Sequence, residues 1–226
     1  MQYPPTAQHV EPLEKFTRRK YKIKPMDNKT IQTYNRFAKE YDEETADFWE
    51  KFPKTFINEF IKLAQGKVID IGSGPGKDAL MIKNEGLDIV CLDASRAMIE
   101  LSKAKGLVSI LGDFNKIPFE DETFNGAWAY TSLLHVPKQT IGISLQEIRR
   151  VLKPGAVLGL GMIEGDTEGY KNTLKEIQEN APRWFSYYKK EELEKLLGEH
   201  GFEILYFETL KPRAKNYLFF IAKKIE

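Results

Sequence analysis

The chain has 226 residues, 34 basic and 33 acidic side chains, a formal net charge of +1 and an apolar share of 42%, which exclude a disordered chain and an overall polycation and suit one α/β domain with a large buried core, or one such domain with a small cap. The lone cysteine, Cys91, excludes an intramolecular disulfide and a cysteine-based metal cluster, and the three histidines lack ligand spacing, so no metal is expected. No run approaches about 18 apolar residues and the start lacks a charged-then-apolar leader, so the expectation is a soluble, cytoplasmic protein with no membrane segment.

Residues 1–28 carry four prolines and the basic run Arg18-Arg19-Lys20-Tyr21-Lys22-Ile23-Lys24, and they read as an extended basic arm. Helical spacing begins near Thr30, where Ile31, Tyr34, Phe37, Ala38 and Tyr41 fall at intervals of three and four on one face. A second helical stretch runs from about Ala46 to Ala64, with Pro53 either kinking it or starting a new helix. From Lys67 to Leu160 apolar strand runs alternate with helical patterns, which implies a parallel sheet. Residues 164–188 interrupt this alternation. Lys189 to His200 then reads as an amphipathic helix stopped by Gly201, and Phe202 to Phe207 and Tyr217 to Ala222 read as two final strands.

The most informative stretch is Val68 to Leu80, a short apolar strand carrying Asp70 that runs through Gly72, Gly74 and Gly76 into a helix. Alternating glycines turn the backbone at a strand's carboxyl end and let it approach a ligand with no Cβ between, while the helix aims its free N–H groups there. The pattern is D-x-G-x-G-x-G; the dinucleotide fingerprint G-x-G-x-x-G has its third glycine one place later. A second apolar run, Leu87 to Leu92, closes on Asp93, about 20 residues beyond the loop, where an acid grips ribose hydroxyls. Ser95 reads as the N-cap of the next helix. A third run, Leu107 to Leu111, ends in Gly112-Asp113-Phe114, and a fourth, Phe124 to Tyr130, leads to His135. In a doubly wound sheet ligands lie beyond the carboxyl ends of the strands, so these ends imply one pocket.

Taken together these stretches resemble the class I S-adenosylmethionine-dependent methyltransferases of the broad type 11 group, over residues 30–224 and most strongly 67–160. Asn125 stands where most members carry Asp, and Ala156 where they carry a second Gly. The resemblance implies an α/β, Rossmann-like doubly wound seven-stranded sheet, mostly parallel with a C-terminal antiparallel hairpin, under a helical N-terminal cap. It implies an arm at 1–28, a cap or lid at 29–66 and a core at 67–226 with an acceptor-pocket insert at 164–188. S-adenosyl-L-methionine is the implied cofactor, held by Asp70, Gly72, Ser73, Gly74, Gly76, Asp93, Ala94, Met98, Gly112, Asp113, Phe114 and Tyr130. Asp113 would receive the adenine amino group, and Tyr34 and Tyr41 would sit on a helix folded over the cofactor.

Methyl transfer is an in-line displacement in which the protein supplies binding, alignment and exclusion of water. His135, with an ordinary pKa near 6.5, is the candidate general base. The expected acceptor residues are His135, Arg183, Trp184, Tyr187 and Tyr188, with Arg183 suited to a bidentate bond with an acidic acceptor. A small molecule is the expected acceptor, of which an O or N atom is methylated; tRNA is the alternative, because of the basic run. From other classes, a cofactor-binding module without transfer activity and a nucleotide-binding dehydrogenase stay in contention.

Overall fold

The computed structural model describes residues 27–51, 53–172, 181–211 and 215–226. The basic run at 18–24 lies outside the described residues. The cap comes first: α1 (Asn28–Arg36), α2 (Ala38–Glu44), α3 (Phe48–Lys51) and α4 (Thr55–Leu63). Asp27 starts α1 by accepting the Thr30 N–H at 2.7 Å and the Thr30 hydroxyl at 2.8 Å. The apolar stripe expected on a single helix is broken at Phe37 (φ −117°, ψ 30°), which separates α1 from α2. Pro53 falls between α3 and α4, so it separates two helices rather than kinking one.

Runs of Val, Ile and Leu bounded by glycine then form β1 (Lys67–Ile71), α5 (Lys77–Asn84), β2 (Asp88–Asp93), α6 (Arg96–Ala104), β3 (Val108–Leu111), β4 (Phe124–Tyr130), α7 (Ile141–Val151) and β5 (Leu152–Ile163). The insert forms β6 (Glu168–Asn172) and β7 (Pro182–Ser186), and the chain closes with α8 (Lys190–Glu199), β8 (Phe202–Leu210) and β9 (Tyr217–Lys224). The main sheet has the order β3-β2-β1-β4-β5-β9-β8. Its first five strands are parallel, and β9 runs antiparallel to both β5 and β8. The order reverses between β1 and β4, the place where such sheets open a crevice.

Both faces of the sheet are covered, as parallel strands require. Ile69 and Ile71 face one way into a core with Leu92, Ala129, Leu145 and Leu158. Val68 faces the other way, toward Trp128 and the cap residues Phe56 and Phe60. Two small residues let the cap dock closely: a Cβ on Gly159 would fall 2.9 Å from the Phe60 ring, and one on Gly126 3.3 Å from it.

The insert, read from the sequence only as an interruption, makes a separate two-stranded antiparallel sheet from β6 and β7. That hairpin is fastened to α1. Thr33 Oγ1 donates to the Pro182 carbonyl at 2.8 Å, Trp184 N–H donates to Thr30 Oγ1 at 2.8 Å, and the Tyr170 hydroxyl donates to Asp27 Oδ1 at 2.5 Å. Among the described residues no helix is long and apolar enough to cross a membrane.

Candidate functional site

The crevice is built on the loop between β1 and α5. Gly72 adopts φ +68°, and a Cβ there would come within 2.4 Å of Ser132 Cβ, so only glycine lets the loop lie against the end of β4. Gly74 (φ +53°) is different: a Cβ there would meet nothing nearer than the Tyr41 ring at 3.9 Å. The loop therefore presents an open backbone face beneath a ring of α2.

Asp93 is fixed beside this face by two backbone donors, Gly74 N–H to Oδ2 at 2.8 Å and Ser95 N–H to Oδ1 at 2.7 Å. Each oxygen keeps a lone pair. Burial pushes its carboxyl up to about 6, against the lowering effect of the N–H groups of Ser95, Gly74 and Ala94. Asp70, at the end of β1, is only 2% exposed, and its Oδ2 has no hydrogen-bond partner among the described residues. Burial first, then the charges of Asp78 and Asp93, hold it well above the usual carboxylate range. Ser132 Oγ is likewise buried with no partner among them. A ligand presenting a cation to Asp70 and hydroxyls to Asp93 would satisfy what the fold leaves open.

The other expected cofactor residues divide by environment. Gly112 N–H donates to the Asp93 carbonyl at 2.9 Å, and Asp113 Oδ1 accepts Asn115 N–H at 2.8 Å, which fixes the turn after β3. The Phe114 ring lies 3.6 Å from where a Gly72 Cβ would be. Ser73 N–H donates to the Leu92 carbonyl at 3.1 Å, and a Cβ on Gly76 would meet Leu107 at 2.5 Å, so these two hold the loop on the sheet. Ser95 caps α6 as expected, its Oγ accepting Met98 N–H at 3.3 Å, whereas the Met98 side chain is sealed in the interior at 1% exposure. The Tyr130 ring packs among Phe48, Trp49, Phe56, Trp128 and Phe219.

Thr131 follows β4 at φ +51°, an unfavourable conformation for a β-branched residue, and starts the turn Leu133–His135. That turn places His135 against α1 of the cap. The Trp184 carbonyl can only accept, so His135 Nδ1 carries the proton and donates to it at 2.5 Å, which leaves Nε2 to accept the Tyr34 hydroxyl at 2.8 Å. Arg183 Nη1 donates to the same Tyr34 oxygen at 2.9 Å. Burial, then the neighbouring Arg183 charge, lowers His135 to about 3. The expected base with an ordinary pKa is thus a neutral imidazole with both nitrogens engaged.

The Arg183 guanidinium lies 5.2 Å from the Tyr34 ring, 5.9 Å from Tyr41 and 5.4 Å from Phe185. Arg183 and Trp184 therefore belong to the same cluster as the lid tyrosines. Tyr187 lies one ring farther out, stacked on Phe185 at 6.0 Å with the Lys215 ammonium 3.4 Å from its centroid. Tyr188 turns to Lys138, whose ammonium lies 4.7 Å from its ring.

Three residues of this region went unread in the sequence. Asn35 Oδ1 accepts the Ser95 hydroxyl at 2.9 Å and Ala97 N–H at 3.2 Å, tying α1 to α6. Asp42 lies between Lys77 (3.1 Å) and Lys105 (2.9 Å). Asp78 accepts the Trp49 indole N–H at 2.7 Å and the Trp128 indole N–H at 2.8 Å. An acid in the first turn of a helix is common, so Asp78 carried no signal of its distant partners.

A profile of the family described as "Methyltransferase domain" matches residues 69–160. The O-methyltransferase resE of Aspergillus sclerotiorum is 32% identical over 169 residues, 70% of this chain and 62% of that protein, so the chain spans under two thirds of that relative's length. The crystal structure of a SAM-dependent methyltransferase from Methanosarcina mazei superposes with a TM-score of 0.67 at 21% identity, over 77% of this chain and 98% of that one. The 1,6-didemethyltoxoflavin-N1-methyltransferase of Burkholderia thailandensis, solved with 1,6-didemethyltoxoflavin and S-adenosylhomocysteine, superposes with a TM-score of 0.66 at 17% identity, over 99% of this chain and 94% of that one.

Proposed function

We propose that this chain is a class I S-adenosylmethionine-dependent methyltransferase that methylates an O or N atom of a small-molecule acceptor, a reading supported by the match of residues 69–160 to the methyltransferase-domain profile. The observation that carries the reading is the pair of carboxylates at the crevice: Asp93 held by Gly74 and Ser95 with lone pairs to spare, and Asp70 with a buried oxygen that none of the described residues answers. These suit the two ends of S-adenosylmethionine, the ribose hydroxyls at Asp93 and the ammonium of the methionine moiety at Asp70. Bound cofactor supplies a methyl group on a positively charged sulfur, so no strong catalytic residue is required.

The chain's own residues bind, align and exclude water. Gly74 gives the methionine moiety backbone contact without a Cβ, and Asp113 accepts the adenine amino group. Tyr34 and Tyr41 close the crevice from above. His135, neutral and doubly engaged, holds the Tyr34 hydroxyl in place and positions the lid. Arg183, caged by three rings, sits where an acceptor would approach Tyr34 and Tyr41.

The test is a screen of small acids, amines, phenols and bulk tRNA for release of S-adenosylhomocysteine from S-adenosylmethionine. Turnover with a small molecule, indifferent to charge reversal at Arg18, Arg19 and Lys20, is the expected result. Turnover with tRNA alone, weakened by that reversal and by salt, would replace the small acceptor with a nucleic acid.

A further inference from the structure

The helix that follows the glycine loop grips the cap with its first two side chains. Lys77 Nζ donates to the Asp42 carbonyl and to Thr45 Oγ1 (2.7 Å) at the end of α2, and lies 3.1 Å from Asp42 Oδ1. Asp78, the next residue, takes one indole N–H on each oxygen: Trp49 from α3 on Oδ1 and Trp128 from β4 on Oδ2. One carboxylate is thereby shared between the cap and the sheet. Trp128 is fully buried, whereas Trp49 is half-buried and rests on Phe48 (5.1 Å) and Tyr130 (5.4 Å).

Helix formation alone asks for much less. A first-turn acid complements the helix dipole from the solvent side, yet this one is turned inward, where Asp70 already bears a buried carboxyl. A carboxylate answers one indole donor on each oxygen; an asparagine in the same place would turn its NH₂ toward one of the two indoles. The segment that Lys77 and Asp78 hold, residues 42–49, continues directly from Tyr41, whose ring covers the open face of Gly74.

We propose that Asp78 is a positioning residue for the cofactor: through Trp49 it fixes the cap so that Tyr41 stays over the glycine loop, and it thereby sets how long the cofactor remains bound. This rests on the reading that S-adenosylmethionine lies at that loop. Release of the cofactor then requires the Trp49–Asp78 bond to open.

Two variants of the whole chain test this, Trp49→Phe and Trp128→Phe. Each removes one indole donor from the same carboxylate and keeps an aromatic ring. Loss of one charge-assisted bond in Trp49→Phe should speed dissociation of S-adenosylhomocysteine about tenfold in stopped-flow measurements, with a smaller fall in the melting temperature of the ligand-free protein than in Trp128→Phe. Trp128→Phe, which opens space around a fully buried ring, should lower that melting temperature more while dissociation stays near the parent rate. Parent-like dissociation in Trp49→Phe, or equal acceleration in both variants, would overturn the proposal. A parent chain that fails to bind S-adenosylhomocysteine would overturn the functional reading together with it.

Discussion

Asp93 shows how one side chain's surroundings set both stability and binding. Its folded carboxyl titrates near 6, above its ordinary 3.8, so the proton is held more tightly in the folded state. Its contribution to folding is fully present below about pH 3.8 and is lost as the pH rises through about 6. On the proposed function ligand binding runs the opposite way, because the ribose hydroxyls placed there would donate and only the ionised form accepts at both oxygens. Calorimetry should therefore show the Kd for S-adenosylhomocysteine falling about tenfold between about pH 5 and 7, the change expected of one ionisation with a pKa near 6. Asp93→Asn should bind weakly and with no such slope; a slope surviving in that variant would move the effect to another acid.

At the scale of elements, the cap helix α1 and the insert are fastened to each other. Thr30 and Thr33 of α1 and the backbone of β7 exchange hydrogen bonds, and Arg183 reaches across to the Tyr34 hydroxyl. The sequence reading placed Arg183 among the acceptor residues. Its observed contacts predict instead that Arg183→Ala weakens cofactor binding and turnover together, each by roughly ten- to a hundredfold for one hydrogen bond from a charged donor. Arg183→Lys, which keeps the charge but not the planar fork, should recover part of the loss. Unchanged cofactor affinity beside reduced turnover would return Arg183 to the acceptor alone.

For the molecule as a whole, the cap is a part of the core. Phe60 reaches the sheet over Gly126 and Gly159, with its ring 4.9 Å from that of Trp128. Phe60→Ala should cost about 3–5 kcal/mol in urea unfolding while the transition stays single, because the cavity opens beneath elements that share one apolar interior. Two separate transitions would show that the cap unfolds by itself.

The parallel sheet, the two closing strands and the acids at three strand ends were legible in the chain because local patterns dictate them: apolar runs, glycine spacing and a carboxylate where each strand stops; the antiparallel pairing of the closing strands came with the family resemblance. The Met98 and Tyr130 side chains illustrate the limit. Their place in the pattern suggested the cofactor, while packing put Met98 in the interior and Tyr130 in an aromatic cluster. Nor could the sequence pair Asp78 with Trp49 and Trp128, His135 with Tyr34 and Trp184, or α1 with the hairpin of the insert. Those contacts join residues far apart in the chain, and their partners are chosen by which side chains the folded sheet brings within hydrogen-bond reach. Strand, turn and helix signals come from neighbours in sequence, so the sequence by itself determined the strands of the sheet and the acids and glycines that line its crevice. How the lid is held, and whether His135 is free to take a proton, was decided only by tertiary packing, because desolvation and hydrogen bonding depend on neighbours in space.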